Sequence, residues 1–162
     1  MYKGYAGRIL RVDLTSRNVK VEPLPDGLAL NYLGGTGFAS RILWDEVNAE
    51  TDPLSPENVL IIATGPVNGT AFPPSGRYMM ASKSPLTGIW SESHVGGHLG
   101  PELKYAGYDM IVVKGRSSEP VYLMIDDDRV EVRDAKDIWG KDTRETVKTL
   151  WDELGDRSFK IA

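Results

Sequence analysis

The sequence predicts an α+β fold: two mostly antiparallel β-sheets with a few short helices. Three observations carry that expectation. Apolar runs of strand length outnumber helical stripes. They follow one another through turns instead of alternating regularly with helices, and a strand–turn–strand pattern stands near each end of the chain. With 162 residues and a 41% hydrophobic composition, the chain suits one domain with a sizeable core.

Tyr5 to Val12 alternates loosely, Asp13 to Asn18 is rich in turn formers, and alternation resumes at Val19 and Val21 until Pro23 and Pro25 end it. This predicts an N-terminal hairpin. Asp26 suits the cap of a helix through Leu33, which Gly34–Gly35 would stop. Thr36 suits the cap of a second helix, striped by Phe38, Ile42, Leu43 and Val47. Val59–Ala63 is an unbroken apolar run, as in a strand covered on both faces. Arg77–Ser82 reads as the next strand and Ile89–Ser93 as another. Pro101–Ala106 reads as a short helix stopped by Gly107. Met110–Val113 is a strand, and Val121–Ile125 with Arg129–Val132 forms a second hairpin around Asp126–Asp127–Asp128. Asp142 and Glu145 form a capping box for a helix striped by Val147, Leu150, Trp151 and Leu154. Phe159–Ala162 looks like the opening of one more strand.

Composition excludes several functions. Without cysteine there is no disulfide scaffold, thiolate nucleophile or zinc finger, and no self-contained cysteine-ligated iron–sulfur cluster. A net charge of -4 without a basic cluster disfavours nucleic acid as a partner. No apolar run approaches the roughly 20 residues that span a bilayer, and the N-terminal residues lack a signal-peptide core. A cytoplasmic protein without membrane contact is expected.

Two segments, Gly65–Gly76 and Gly96–Gly107, hold seven glycines in 24 positions. Glycine serves tight turns, and it also lets backbone approach a ligand closely. Pattern alone leaves both readings open, with turns the commoner use. Arg77 follows Ser75–Gly76 at the start of a strand, where its fork suits a phosphate or pyrophosphate; a solvated strand-edge arginine is the plainer alternative. Lys83, Ser84 and Thr87, one turn further on, suit the extension of a polar wall, with a surface lysine near Pro85 the plainer reading of Lys83. His94 and His98 are four apart, but Gly96–Gly97 interrupts any helix between them, so a hydrogen bond from His94 to a polar ligand is preferred to a two-histidine metal site. Trp44, Trp139 and Trp151 read as packing residues, and Trp90 as packing or a pocket wall.

Taken in order, a series of segments then becomes recognisable: Gly7–Leu14, Tyr32–Gly37, Asp52–Asn58, Ala63–Pro66, Ser75–Arg77, Lys83–Gly88, Gly96–Gly97 before Gly100, Glu102–Lys104, Ala106–Asp109, and Ile138–Gly140 with Asp142–Thr143 and Glu145–Thr146. Through them the chain resembles, over nearly its whole length, the N-terminal domain of the tungsten-containing aldehyde:ferredoxin oxidoreductase family. The resemblance implies a base of two β-sheets on which a tungsten bis-pterin cofactor rests. It assigns cofactor contacts to Arg77, Ser93, His94, Val95, Gly96 and Gly97. It also assigns His94, standing where the family has asparagine, to a magnesium ion bridging the pterin phosphates. Oxidation of an aldehyde to a carboxylic acid with electrons passed to ferredoxin is the implied family role. The [4Fe–4S] cysteines and a further glycine- and arginine-containing cofactor segment are expected in domains beyond residue 162, so residues 1–162 read as an N-terminal domain cut short and inactive alone. Partners would be those domains or a separately encoded subunit, ferredoxin, and for some members a second copy. The competing expectations are a non-catalytic scaffold for a partner polypeptide and a domain of a related tungstoenzyme, such as an aromatic acyl thioester reductase.

Overall fold

The computed structural model describes residues 3–162. A six-stranded sheet organises them, built from β1 (Arg8–Asp13), β2 (Asn18–Pro23), β3 (Val59–Ala63), β4 (Tyr78–Lys83), β5 (Trp90–Val95) and β6 (Met110–Lys114). The strand order is β2-β1-β6-β3-β4-β5. Four of its pairings are antiparallel and only β1–β6 is parallel, with Ile9 beside Met110. A parallel pair needs a long crossover, and nearly the whole intervening chain supplies it. The second sheet is the hairpin of β7 (Val121–Asp126) and β8 (Arg129–Asp134). The expected two-sheet, mostly antiparallel α+β fold is what forms. The N-terminal hairpin belongs to the large sheet, however, so only the second hairpin makes a sheet of its own.

Period-2 alternation divides the core between the two faces of the large sheet. Ile9, Val59, Ile61, Ala63, Met79, Ala81, Met110 and Val112 pack with Leu28, Phe38, Ala39 and Ile42. The latter come from helices α1 (Asp26–Tyr32) and α2 (Thr36–Glu46). On the opposite face Leu10, Val12 and Ile111 pack with Leu103 and Tyr108, and residues of the β7–β8 hairpin close over them. Leu103 belongs to helix α3 (Leu99–Tyr105). Arg11 lies on the α1–α2 face and joins Glu22 of β2 (2.7 Å) to Glu46 at the end of α2 (2.8 Å). The last helix, α4 (Thr143–Leu154), starts at Asp142, whose carboxylate accepts from the Arg144 and Glu145 N–H groups.

Several local expectations are corrected. Pro25 and Gly35, not Asp26 and Thr36, occupy the cap positions of α1 and α2, because each acidic or hydroxyl residue is already inside the first turn. The box at Asp142 is one-sided, with no bond from its N–H back to Glu145. Helix α3 begins two residues before Pro101. It ends in a Schellman turn, Tyr108 N–H to Leu103 O and Gly107 N–H to Lys104 O, with Gly107 at φ +91°. Leu60 is 39% exposed, so β3 is covered fully on one face only. Lys83 is buried: its ammonium donates to Asn48 O, Ala49 O and Thr51 O and so closes the loop after α2. Trp44 and Trp139 are exposed, while Trp90 packs against the core. Phe159–Ala162 form no strand, and Phe159 O accepts from the Trp151 indole.

Candidate cofactor-binding site

The register between β4 and β5 creates the site. Tyr78 pairs with Val95, Met79 with His94 and Met80 with Ser93. Arg77 therefore stands one residue before the first pair of β4, and Gly96–Gly97 stand directly after the last pair of β5. The arginine and the Ser93–Gly97 segment, separate in sequence, meet at one end of the sheet. Arg77, Ser93, His94, Gly96 and Gly97 are exposed and Val95 is half-buried. Arg77 is exposed, and among the described residues no side chain or carbonyl accepts a hydrogen bond from its guanidinium. Burial raises the phenol pKa of Tyr78, the next residue along the chain.

The glycine segments cross behind this end. Gly97 has φ +109°, which only glycine adopts without strain, and nothing lies within 4 Å of where a Cβ on Gly96 or Gly97 would stand. At Gly100 the opposite holds. A Cβ there would meet Asn68 Nδ2 at 2.9 Å and Gly76 O at 3.2 Å, so the start of α3 packs directly onto the Gly65–Gly76 loop. Asn68 is 4% exposed and donates from Nδ2 to Arg77 O at 2.5 Å. Its Oδ1 is buried without a partner. A buried amide oxygen left unsatisfied costs on the order of 1–3 kcal/mol, against about 1 kcal/mol net for a typical hydrogen bond.

Glu92 and His94, two apart on β5, share the face covered by α1 and α2. The Glu92 carboxylate accepts from Thr36 Oγ1 at 3.0 Å in the first turn of α2, where a negative charge is favoured. His94 Nε2 lies 3.5 Å from its other oxygen. His98 is the N-cap residue of α3, so the two histidines flank a bend and share no helical face. Among the described residues no three His, Asp or Glu side chains gather as metal ligands. The Asp126–Asp128 run is the β7–β8 turn, with Asp128 paired to Arg8.

Sequence reasoning missed two contributors. Asn68 reads as the first half of an Asn-Gly turn, and nothing in its spacing signals a bond to the carbonyl nine residues on. Lys104 and Asp109 form an ion pair at 2.5 Å, buried beneath α3, that separation in sequence does not reveal as such. A cavity of about 550 Å³ lies elsewhere. It is a gap among α3, β7, α4 and the last four residues, and neither Arg77 nor Ser93–Gly97 lines it.

An exposed guanidinium fork beside open glycine backbone suits a phosphate-bearing ligand, since Arg binds phosphate in bidentate fashion and bare glycine backbone admits close approach. Residues 9–162 match the family model for the aldehyde ferredoxin oxidoreductase N-terminal domain. The chain is 48% identical to the tungsten-containing aldehyde ferredoxin oxidoreductase of Pyrococcus abyssi over 98% of its length. It is 41% identical to an aliphatic sulfonate oxidoreductase, WOR-like subunit, of Pyrococcus furiosus over 96%. It covers only 26% and 25% of those proteins, about a quarter of their length. Among solved structures, the active site complex BamBC of benzoyl coenzyme A reductase, in complex with 1,5-dienoyl-CoA, superposes with a TM-score of 0.94 at 42% identity. That match covers 96% of this chain and 24% of the other. The chain belongs to the aldehyde ferredoxin oxidoreductase family, as its N-terminal domain.

Proposed function

We propose that this chain forms the base that holds a tungsten bis-pterin cofactor in an oxidoreductase converting an aldehyde to a carboxylic acid, with ferredoxin as electron acceptor. The observation that carries the reading is the meeting of an unpaired Arg77 with the open Gly96–Gly97 backbone, in a chain of this family. Arg77 would hold a phosphate of the cofactor through charge-assisted hydrogen bonds. Gly96 and Gly97, bare of side chains, would let the main chain lie against the pterin, with Ser93 and Val95 flanking it. His94 turns its imidazole toward Glu92. Magnesium prefers oxygen to imidazole nitrogen, so any contact from His94 to a phosphate-bridging magnesium would use its carbonyl. When bound, the cofactor supplies a metal that accepts the two electrons released as the aldehyde takes up oxygen from water. The chain's own part is to anchor and orient it. Having no cysteine, the chain supplies no ligand to a [4Fe–4S] cluster of the kind that would relay those electrons.

A pterin phosphate titrated into the chain and followed by pterin fluorescence tests this. Saturable binding that Arg77→Ala weakens roughly 10- to 150-fold is expected, the worth of a hydrogen bond to a charged group. Equal binding by the variant would remove Arg77 from the site. The match to the benzoyl coenzyme A reductase complex favours a second reading, a base domain in reduction of an aromatic acyl thioester. Assembled with its remaining domains or subunit, the enzyme would then turn over an aryl-CoA in preference to an aldehyde.

A further inference from the structure

We propose that Asn68 is a positioning residue: by holding the main chain of Arg77 it sets the direction of the guanidinium at the site. The role of that guanidinium rests on the phosphate-binding reading above. Arg77 lies just outside the β4–β5 ladder, so no strand pairing fixes its carbonyl. The Asn68 carboxamide does so instead, donating to Arg77 O at 2.5 Å across nine residues of loop. The amide itself is held from two sides. The main-chain N–H of Asn68 donates to Gly65 O at 3.1 Å, and the bare Cα of Gly100 packs against the carboxamide, leaving no room for a Cβ. The Gly65–Gly76 loop is tied to α3 as well, through Tyr105 OH to Gly69 O at 2.7 Å. Asn68 thus couples the position of Arg77 to the rigid start of α3, directly behind Gly96–Gly97. Its Oδ1 has no partner, so the carboxamide carries an unmet acceptor for the sake of a single donated bond. Such an arrangement returns geometry more than stability.

The test compares Asn68→Asp and Asn68→Ser with Arg77→Ala and with each double variant. NMR of the Arg77 Nε–Hε group in the free protein is one readout, and binding of a pterin phosphate is the other. Asn68→Asp keeps the shape but sets an acceptor against the Arg77 carbonyl; the Arg77 signal should shift and broaden, and affinity fall about tenfold, the worth of a lost or misaligned hydrogen bond. Acidification protonates the introduced carboxyl, restores a donor and should return the Arg77 signal toward that of the wild type, which a merely structural role would not do. Neither Asn68 substitution should weaken binding further in the Arg77→Ala background. Asn68→Ser, too short to reach the carbonyl, should give the same signature if Asn68→Asp fails to fold. If the wild type binds and Arg77→Ala does not, while the Asn68 variants bind normally, positioning by Asn68 is wrong and the reading of Arg77 stands. If the wild type binds no pterin phosphate, that reading fails. The NMR signal then decides the Asn68–Arg77 link alone, and an unchanged Arg77 resonance overturns it.

Discussion

Replacing Asp109 by asparagine should destabilise the domain far more than its single-atom change suggests. The Asp109 side chain is 1% exposed and that of its partner Lys104 9% exposed, with Nζ 2.5 Å from Oδ1. The carboxylate also accepts from Gly7 N–H at 2.6 Å and Ala6 N–H at 3.0 Å, while Lys104 donates to Gly4 O at 2.8 Å. Asparagine keeps one acceptor and turns the other into a donor that faces either a main-chain N–H or the ammonium. Uncoupling a buried pair costs about 3–5 kcal/mol. Since one acceptor survives, the lower end, about 3 kcal/mol, is the expected loss. For a domain of this size each kcal/mol moves Tm by roughly 2–4 °C, so Tm should fall by about 6–12 °C. Urea unfolding should show a lower midpoint at unchanged m-value. Thr64 donates to Asp109 O from both N–H and Oγ1, so faster amide exchange should spread to the loop that carries Asn68. The reasoning fails if Asp109→Asn costs less than about 1 kcal/mol.

Gly100→Ala, whose Cβ would crowd Asn68 and Gly76 O, should lower stability by about 1–3 kcal/mol in thermal melts. Gly96→Ala points its methyl into open space, so stability should hold within about 0.5 kcal/mol in thermal melts while pterin phosphate affinity drops; a loss of stability without loss of binding would contradict the site. In acid, Glu22 should contribute visibly. Hydrogen bonds from Lys20, then Arg11, hold its pKa below the usual 4.5, so its stabilisation is complete above that value and disappears as pH falls through the lowered one. Glu22→Gln should flatten that acid limb of a stability–pH curve and leave no pH dependence of its own.

Much of the fold was legible because each element carries a local signal. The unbroken Met110–Val113 run belongs to the central strand, buried between both faces, and Gly107 and Gly155 stop their helices in the left-handed region. What the sequence could not show were contacts set by register and by distant packing. Lys83 looked like surface because its three carbonyl partners lie more than 30 residues away, in a loop with no periodicity. The cap positions slipped by one residue because Asp26 and Thr36 are equally suited to a first turn. The place of Arg77 at the start of a strand was legible from Ser75–Gly76 before it. Its relation to Gly96 was not, since that depends on which residues of β4 and β5 face each other.

The glycine segments show how the choice between turn and ligand resolves. Sequence offered one explanation or the other for all seven glycines, whereas the structure divides them. A Cβ on Gly69 would stand 3.1 Å from the Tyr105 ring, one on Gly76 would stand 3.2 Å from Gly97 O, and one on Gly100 would meet Asn68. Gly107 caps α3. Those four are spent on packing and on ending a helix, as the turn reading requires. Gly65, Gly96 and Gly97 have no neighbour within 4 Å on the Cβ side, so sterics within the described chain do not demand the bare backbone there. The φ of +109° explains glycine at Gly97 by conformation alone. At Gly96, opposite Arg77 where the β4–β5 register continues, neither a Cβ contact nor a positive φ accounts for glycine, and the proposed approach of a ligand would. Gly96 is therefore the residue at which the two explanations make opposite predictions, and a single methyl group there separates them.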